Sequence, residues 1–267
     1  MKKTRIFAVM AVLALLVGIF ALPVSAEGSE VLVSISDGDP DNGVELAWET
    51  VTVADCDDDG QLTINDALFS AHDKYFDGGA AAGYASAVTE FGISLNRLWG
   101  VENGGSYGYY INDASPLSLS DPIEDGDRIY AYAFADLTAW SDMYTCFDKC
   151  MIEAEEGDEV TLTLSGASFD AEWNPVTVPV EGAKILIDGK DSGVVTDAQG
   201  KACVTLSGDG QVVITAASDS AVLVPPVCVA QVDGGMSAAQ ISAIAAILLL
   251  AVSSFVLIGR NRKKDEQ

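Results

Sequence analysis

Asp55-Cys56-Asp57-Asp58-Asp59-Gly60-Gln61-Leu62-Thr63-Ile64-Asn65-Asp66, the run DCDDDGQLTIND, decides how the first half of the chain is read. Taking Asp55 as position 1, carboxylates stand at positions 1, 3 and 5 (Asp55, Asp57, Asp59), and Gly60 stands at 6, where the backbone must turn sharply. Gln61 at 7 can offer its backbone carbonyl, Thr63 at 9 its hydroxyl or a bridging water, and Asp66 at 12 closes the set. A ring of hard oxygens of this size suits Ca²⁺, which accepts six to eight ligands, better than Mg²⁺, which demands a tight octahedron. The Asp at position 12 is shorter than the Glu that closes such a loop in bidentate fashion, so a weaker calcium site, or Mg²⁺, is the alternative.

The flanks give the loop a frame. Val51-Thr52-Val53 is β-branched and reads as a strand, while Leu68, Ala71, His72 and Tyr75 recur at helical spacing between Asp66 and Phe76. The order strand, loop, helix and the pattern DxDxDGxLTxxD resemble the calcium loop of dockerin modules and of the EF-hand group. A dockerin carries two such loops, and this chain shows one.

The ends of the chain are read separately. Met1 to Arg5 is basic, Ile6 to Leu22 apolar, and Val24-Ser25-Ala26 a small-residue cleavage signal, so residues 1–26 read as a signal peptide. Residues 237–258 hold no charge, are long enough to cross ~30 Å of hydrocarbon, and precede the basic tail 259–267 with Arg260, Arg262, Lys263 and Lys264. The expectation is a single-pass membrane protein whose bulk is extracellular and whose C-terminus is cytoplasmic. No LPxTG-type run precedes the span.

Charge narrows the partners. The net charge is −26, and seven of the 14 Lys and Arg lie in the two ends, so the segment between them is more acidic still. Such a surface repels nucleic acid and favours divalent cations. Five cysteines in an exported chain suggest disulfides. Cys203 with Cys228, and Cys146 with Cys150, are the candidate pairs, and Cys56, inside the acidic loop, is the candidate free thiol.

Strand-like runs surround the loop: Glu30 to Ile35, Val44 to Val53, Leu98-Trp99-Gly100, Tyr107 to Asn112, and Arg128 to Phe134. A turn holding Asp37, Asp39 and Asp41 has its glycine one position late for a metal loop and reads as a solvated turn. The order LWG, YGYYIND, SLSDPIEDGDRIYAYAF resembles the small β-rich domain at the C-terminal end of transcobalamin-type vitamin B12 carriers, which recurs in bacterial surface proteins. The resemblance covers about residues 30–135 and implies a β-grasp-like, soluble-ligand-binding domain. In the carriers that domain caps corrinoid together with a helical barrel, for which this chain has no counterpart. Trp99, Tyr110 and Asn112 are the candidate ligand-binding residues, against the simpler reading of strand aromatics as core.

Beyond Cys150 short alternating runs dominate: VTLTL from Val160, VTVPV from Val176, KILI from Lys184, CVTL from Cys203 and QVVIT from Gln211. They imply an Ig-like or prealbumin-like β-sandwich. The segment GAKILIDGKDSGVVTDAQGKACVTL is similar to bacterial Ig-like surface repeats. The expected fold class is therefore mainly β: a small α+β, β-grasp-like domain over 29–150, a β-sandwich over 151–233, and one C-terminal transmembrane helix.

Catalysis has little footing. GGSYG at 104–108 matches GxSxG, but a strand follows it where a helix is required. The one histidine, His72, reads as a surface or half-buried helix residue, and HExxH, P-loop and zinc-spaced Cys/His patterns are missing from the sequence. The expected function is a membrane-anchored extracellular calcium-binding surface protein, non-catalytic, that binds or adheres to an extracellular protein or small ligand. A corrinoid-like capture protein and a purely structural envelope protein are the alternatives.

Overall fold

The computed structural model describes residues 28–39, 43–90 and 92–235. The expected signal peptide and the expected span at 237–258 lie outside them, as does Asp41. Among the described residues no helix is long and apolar enough to cross a membrane. The protein is mainly β, with several mixed sheets.

The first unit is built on a four-stranded sheet of β1 (Glu30–Ser36), β2 (Leu46–Thr52), β5 (Tyr107–Ile111) and β6 (Arg128–Ala133), in the order β2-β1-β6-β5. The central β1/β6 pair is parallel and the outer pairs are antiparallel. Alternation sorts the side chains. Val31, Val33, Ile35, Ile129 and Ala131 share one core with Ile64, Ala67, Leu68 and Ala71 of helix α1 (Ile64–Tyr75). Tyr130 and Tyr132, on the other face of β6, are also buried. A strand buried on both faces carries apolar residues at every position, which is how IYAYA reads.

Helix α1 starts where Thr63 caps it and Asp66 completes a capping box, and it ends at Phe76, which is extended. Its last turn is tied to β2 by Lys74 and Tyr75, which both donate to the Thr50 carbonyl (2.9 and 3.0 Å). A short helix α2 (Gly79–Gly83) and a hairpin of β3 (Ala85–Thr89) and β4 (Gly92–Arg97), neither foreseen in the sequence, lead to β5.

The second unit is two packed sheets. One joins β7 (Met143–Phe147), β9 (Glu159–Phe169), β10 (Pro175–Pro179) and β15 (Leu223–Val224), with β13 (Lys201–Thr205) on the first half of β9. The other runs β12 (Lys190–Val195), β11 (Lys184–Ile187), β14 (Gly210–Ala217), β16 (Cys228–Asp233), β8 (Met151–Glu155). Leu162, Leu164, Val204 and Leu206 meet Ile185, Val212, Ile214 and Ala230 between them. The long strand β9 changes partner from β13 to β10 at Leu164. Gly200, at φ +74, makes that change fit, because a Cβ there would strike the Leu164 carbonyl.

Strand β7 pairs with β9 and β15 and so packs with the second unit, although it precedes residue 151. The connection between the units is therefore about residues 134–142. Neither expected disulfide is present, since all five cysteines are free. Cys203 faces solvent on β13 while Cys228 is buried on β16 of the opposite sheet. Cys150 is held by its carbonyl, which accepts the Val229 N–H (2.8 Å), and by its sulfur, which accepts from Arg128 Nη1 (3.2 Å), rather than by Cys146.

The units meet through an aromatic layer. Trp48 Nε1 donates to the Val227 carbonyl (2.8 Å), and the Tyr130 hydroxyl to the Pro225 carbonyl (2.7 Å). Tyr110 and Tyr144 stack with centroids 3.6 Å apart, and the Tyr144 hydroxyl donates to Asp113 (2.8 Å). Each such aromatic pair adds roughly 0.5–1.5 kcal/mol beyond its area.

Candidate metal centre

The loop between β2 and α1 brings the carboxylates of Asp55, Asp57 and Asp59 together, with one oxygen of each within 4.8 Å of the others. The backbone enforces this. Asp55 Oδ2 accepts the Gly60 N–H at 2.8 Å, Asp55 Oδ1 the Asp59 N–H at 3.3 Å, and Asp59 Oδ1 the Gln61 N–H at 2.8 Å. Gly60 turns the chain at φ +83, and Asp58, whose side chain stays outside the cluster, sits at φ +58. The loop is fixed at its far end by the Leu62 carbonyl, which accepts the Ile123 N–H (3.0 Å), and at its near end by Ser70 Oγ, which accepts the Ala54 N–H (3.1 Å).

Asp66 and Thr63 have a different task from the one their spacing suggests. Asp66 is buried, and its carboxylate is spent on the protein. Oδ1 accepts the Cys56 N–H (2.9 Å), and Oδ2 accepts the Thr63 N–H (2.9 Å) and the Thr63 hydroxyl (2.6 Å). Thr63 Oγ1 in turn faces the Asp66 N–H at 3.4 Å. These two residues staple the loop to the helix N-terminus, and Asp66 is not one of the three clustered carboxylates. Gln61 is exposed, with its N–H held by Asp59.

The electrostatics follow from this division. Burial works to raise the Asp66 pKa, but the hydrogen bonds from Cys56 and Thr63 outweigh it and hold the group below the usual carboxylate range. Asp57 is shifted upward, first by local desolvation and then by the charge of Asp59, with Asp66 and Asp55 adding to it. Burial, then the hydrogen bond and charge of Asp66, push the Cys56 thiol up to about 12, so it stays a protonated donor and a poor nucleophile. Among the described residues none of the three clustered carboxylates joins an ion pair. The donor set is three hard oxygens carrying uncompensated negative charge, and it could hold a metal ion such as Ca²⁺.

No family model matches the chain, and no curated protein matches it either.

The three candidate ligand-binding residues do not form one surface. Trp99 lies on the helix side, where its indole N–H donates to Glu45 Oε2 (3.0 Å) and its ring meets Phe76 and His72, both at 5.2 Å. Tyr110 faces the second unit and is covered by Tyr144. Asn112, at φ +50, closes a turn: Nδ2 donates to Asp127 (2.7 Å) and Oδ1 accepts the Arg128 N–H (3.0 Å). Each is already committed to holding the fold. The turn at Asp37 and Asp39 is closed by the Asp39 N–H on Asp37 Oδ1 (2.8 Å).

His72 is the residue whose importance the sequence hid. It is completely buried rather than on the surface. Nε2 accepts the Trp99 backbone N–H (2.9 Å), so Nδ1 carries the proton and donates to the Leu68 carbonyl (2.6 Å). Burial lowers its pKa to about 4. The signal available beforehand was a lone histidine four residues after Leu68 on the apolar stripe of the helix.

Proposed function

We propose that the protein is a non-catalytic, calcium-binding surface module. In this reading the chain is exported and held by residues 237–258 in the membrane, with both units outside. The first is a β-grasp-like domain and the second an Ig-like spacer, as the sequence resemblances suggest. Calcium seated on Asp55, Asp57 and Asp59 removes the repulsion among them and fixes the loop against helix α1, so that the first unit presents a rigid face to an extracellular partner. The convergence of the three carboxylates carries this reading. A corrinoid-like ligand is less well supported, because Trp99, Tyr110 and Asn112 are each occupied by intramolecular contacts.

The experiment is thermal unfolding of the purified protein in EDTA and in 10 mM Ca²⁺. For a dissociation constant of ~10⁻⁴ to 10⁻³ M, typical of extracellular modules, mass action adds about 1.4–2.7 kcal/mol. That corresponds to a rise of roughly 3–10 °C for a chain of this size. Identical melts would remove the proposal.

A further inference from the structure

The four-stranded sheet stops at β5, and the way it stops is informative. The Phe134 N–H bonds to the Ser106 carbonyl (3.0 Å) and the Asn112 N–H to the Arg128 carbonyl (2.8 Å). Hydrogen-bonded positions alternate along an antiparallel pair, so Ser106, Gly108, Tyr110 and Asn112 face β6. The N–H and C=O groups of Tyr107 and Tyr109 therefore point the other way, where, among the described residues, the sheet has no further strand.

An open cleft of about 760 Å³ is lined by Gly105, Tyr107 and Tyr109 together with Ile93, Ser94 and Leu95 of β4. Among the described residues β4 pairs with β3 alone, and β4 and β5 do not pair with each other. Exposed edges are ordinarily blunted by proline, lysine or a bulge. The edge strand β10 shows this device, with Pro175 and Pro179 at its ends, whereas YGYYI of β5 carries neither proline nor charge. The exposed Glu90 also lines the cleft, and the chain as a whole carries −26, which disfavours an acidic occupant.

We propose that this cleft receives an extended, uncharged or basic segment of a partner polypeptide, which adds as a strand to β5 through the backbone groups of Tyr107 and Tyr109. Backbone pairing supplies the attachment, and the apolar walls at Ile93 and Leu95 select alternate side chains. This gives the binding role proposed above a surface and a partner class. Its test is separate, because the strand edge does not involve the acidic loop.

Amide hydrogen exchange, resolved by NMR, tests it on the whole protein. In the free protein the amides of Tyr107 and Tyr109 should exchange at least tenfold faster than those of Gly108 and Tyr110. The seven-residue peptide KTVTVTK at 1 mM should slow both at least tenfold. The same peptide with alternate backbone nitrogens methylated, in either register, should not, and Ser94→Trp, which fills the cleft, should cancel the effect of the unmodified peptide. Slow exchange at Tyr107 and Tyr109 without peptide would overturn the proposal. So would an absence of slowing at 1 mM KTVTVTK, or equal slowing by the methylated forms. Slowing that grows with protein concentration alone would assign the edge to a second copy of the chain and overturn the partner assignment.

Discussion

Acid should loosen the first unit through His72. The imidazole is wedged among the rings of Tyr84, Trp99 and Phe76, at 5.0, 5.2 and 6.2 Å, and uses its unprotonated Nε2 to accept the Trp99 N–H. A second proton would both charge a buried ring and set N–H against N–H. Folding therefore lowers its pKa from 6.5 to about 4. Between those values the unfolded chain binds the proton and the folded chain does not, so stability falls as pH falls, and it is fully present only above about 6.5. The drop from 6.5 to about 4 is worth about 3 kcal/mol in total, of which about 2 kcal/mol is lost between pH 7 and pH 5. Urea unfolding followed by tryptophan fluorescence at pH 7, 6 and 5 measures it, with His72→Gln as the control that should flatten the slope. His72 is the only histidine in the chain; Glu45, raised chiefly by burial, and Asp57, raised chiefly by local desolvation, act in the opposite sense as pH falls, so the difference in slope between wild type and His72→Gln isolates the imidazole. An unchanged slope in His72→Gln relative to wild type would refute the argument.

Asp66→Ala should cost about 1–2 kcal/mol, the worth of a helix cap, because it strips the partners from the Cys56 and Thr63 N–H groups. Its calcium affinity should stay within about threefold of wild type, and a far larger loss in a binding titration would return Asp66 to the ligand set. Trp48→Phe should lower the urea midpoint by about 1–2 kcal/mol equivalent, since the Val227 carbonyl loses its donor inside the junction of the units. Gly108→Ala should destabilise by about 1–3 kcal/mol, because its Cβ would collide with the Tyr132 ring, and Gly104→Ala, which meets no atom but sits at φ +80, serves as the comparison for strain without collision.

Much of the architecture could be read from alternation and punctuation. The strand before the acidic loop and the helix after it lie where β-branched residues and the Leu68, Ala71, His72 spacing put them. The division of labour inside the loop could not be read, because Thr63-Ile64-Asn65-Asp66 satisfies two patterns at once. The same four residues supply positions 9 and 12 of a calcium loop and the two ends of a capping box, and only the hydrogen bonds of Asp66 distinguish the roles. Tyr110 posed a similar ambiguity. An aromatic on a strand faces a core, a ligand or a neighbouring unit with the same local pattern, and Tyr144, which covers it, is 34 positions away. The β3–β4 hairpin is not legible in the sequence because Ala85-Ser86-Ala87 has little β preference of its own. The pairing of β7 with β9 and β15 is not legible in the sequence, because no shift in composition marks residues 134–142.

The account rests most heavily on Asp55, Asp57 and Asp59 holding one ion between them, and calorimetric titration of the protein with CaCl₂ tests that directly. Saturation at one ion per chain, weakened at least tenfold in Asp57→Asn and again in Asp59→Asn, is the predicted result. A titration without saturable heat up to 10 mM Ca²⁺, or one that both substitutions leave unchanged, would contradict it.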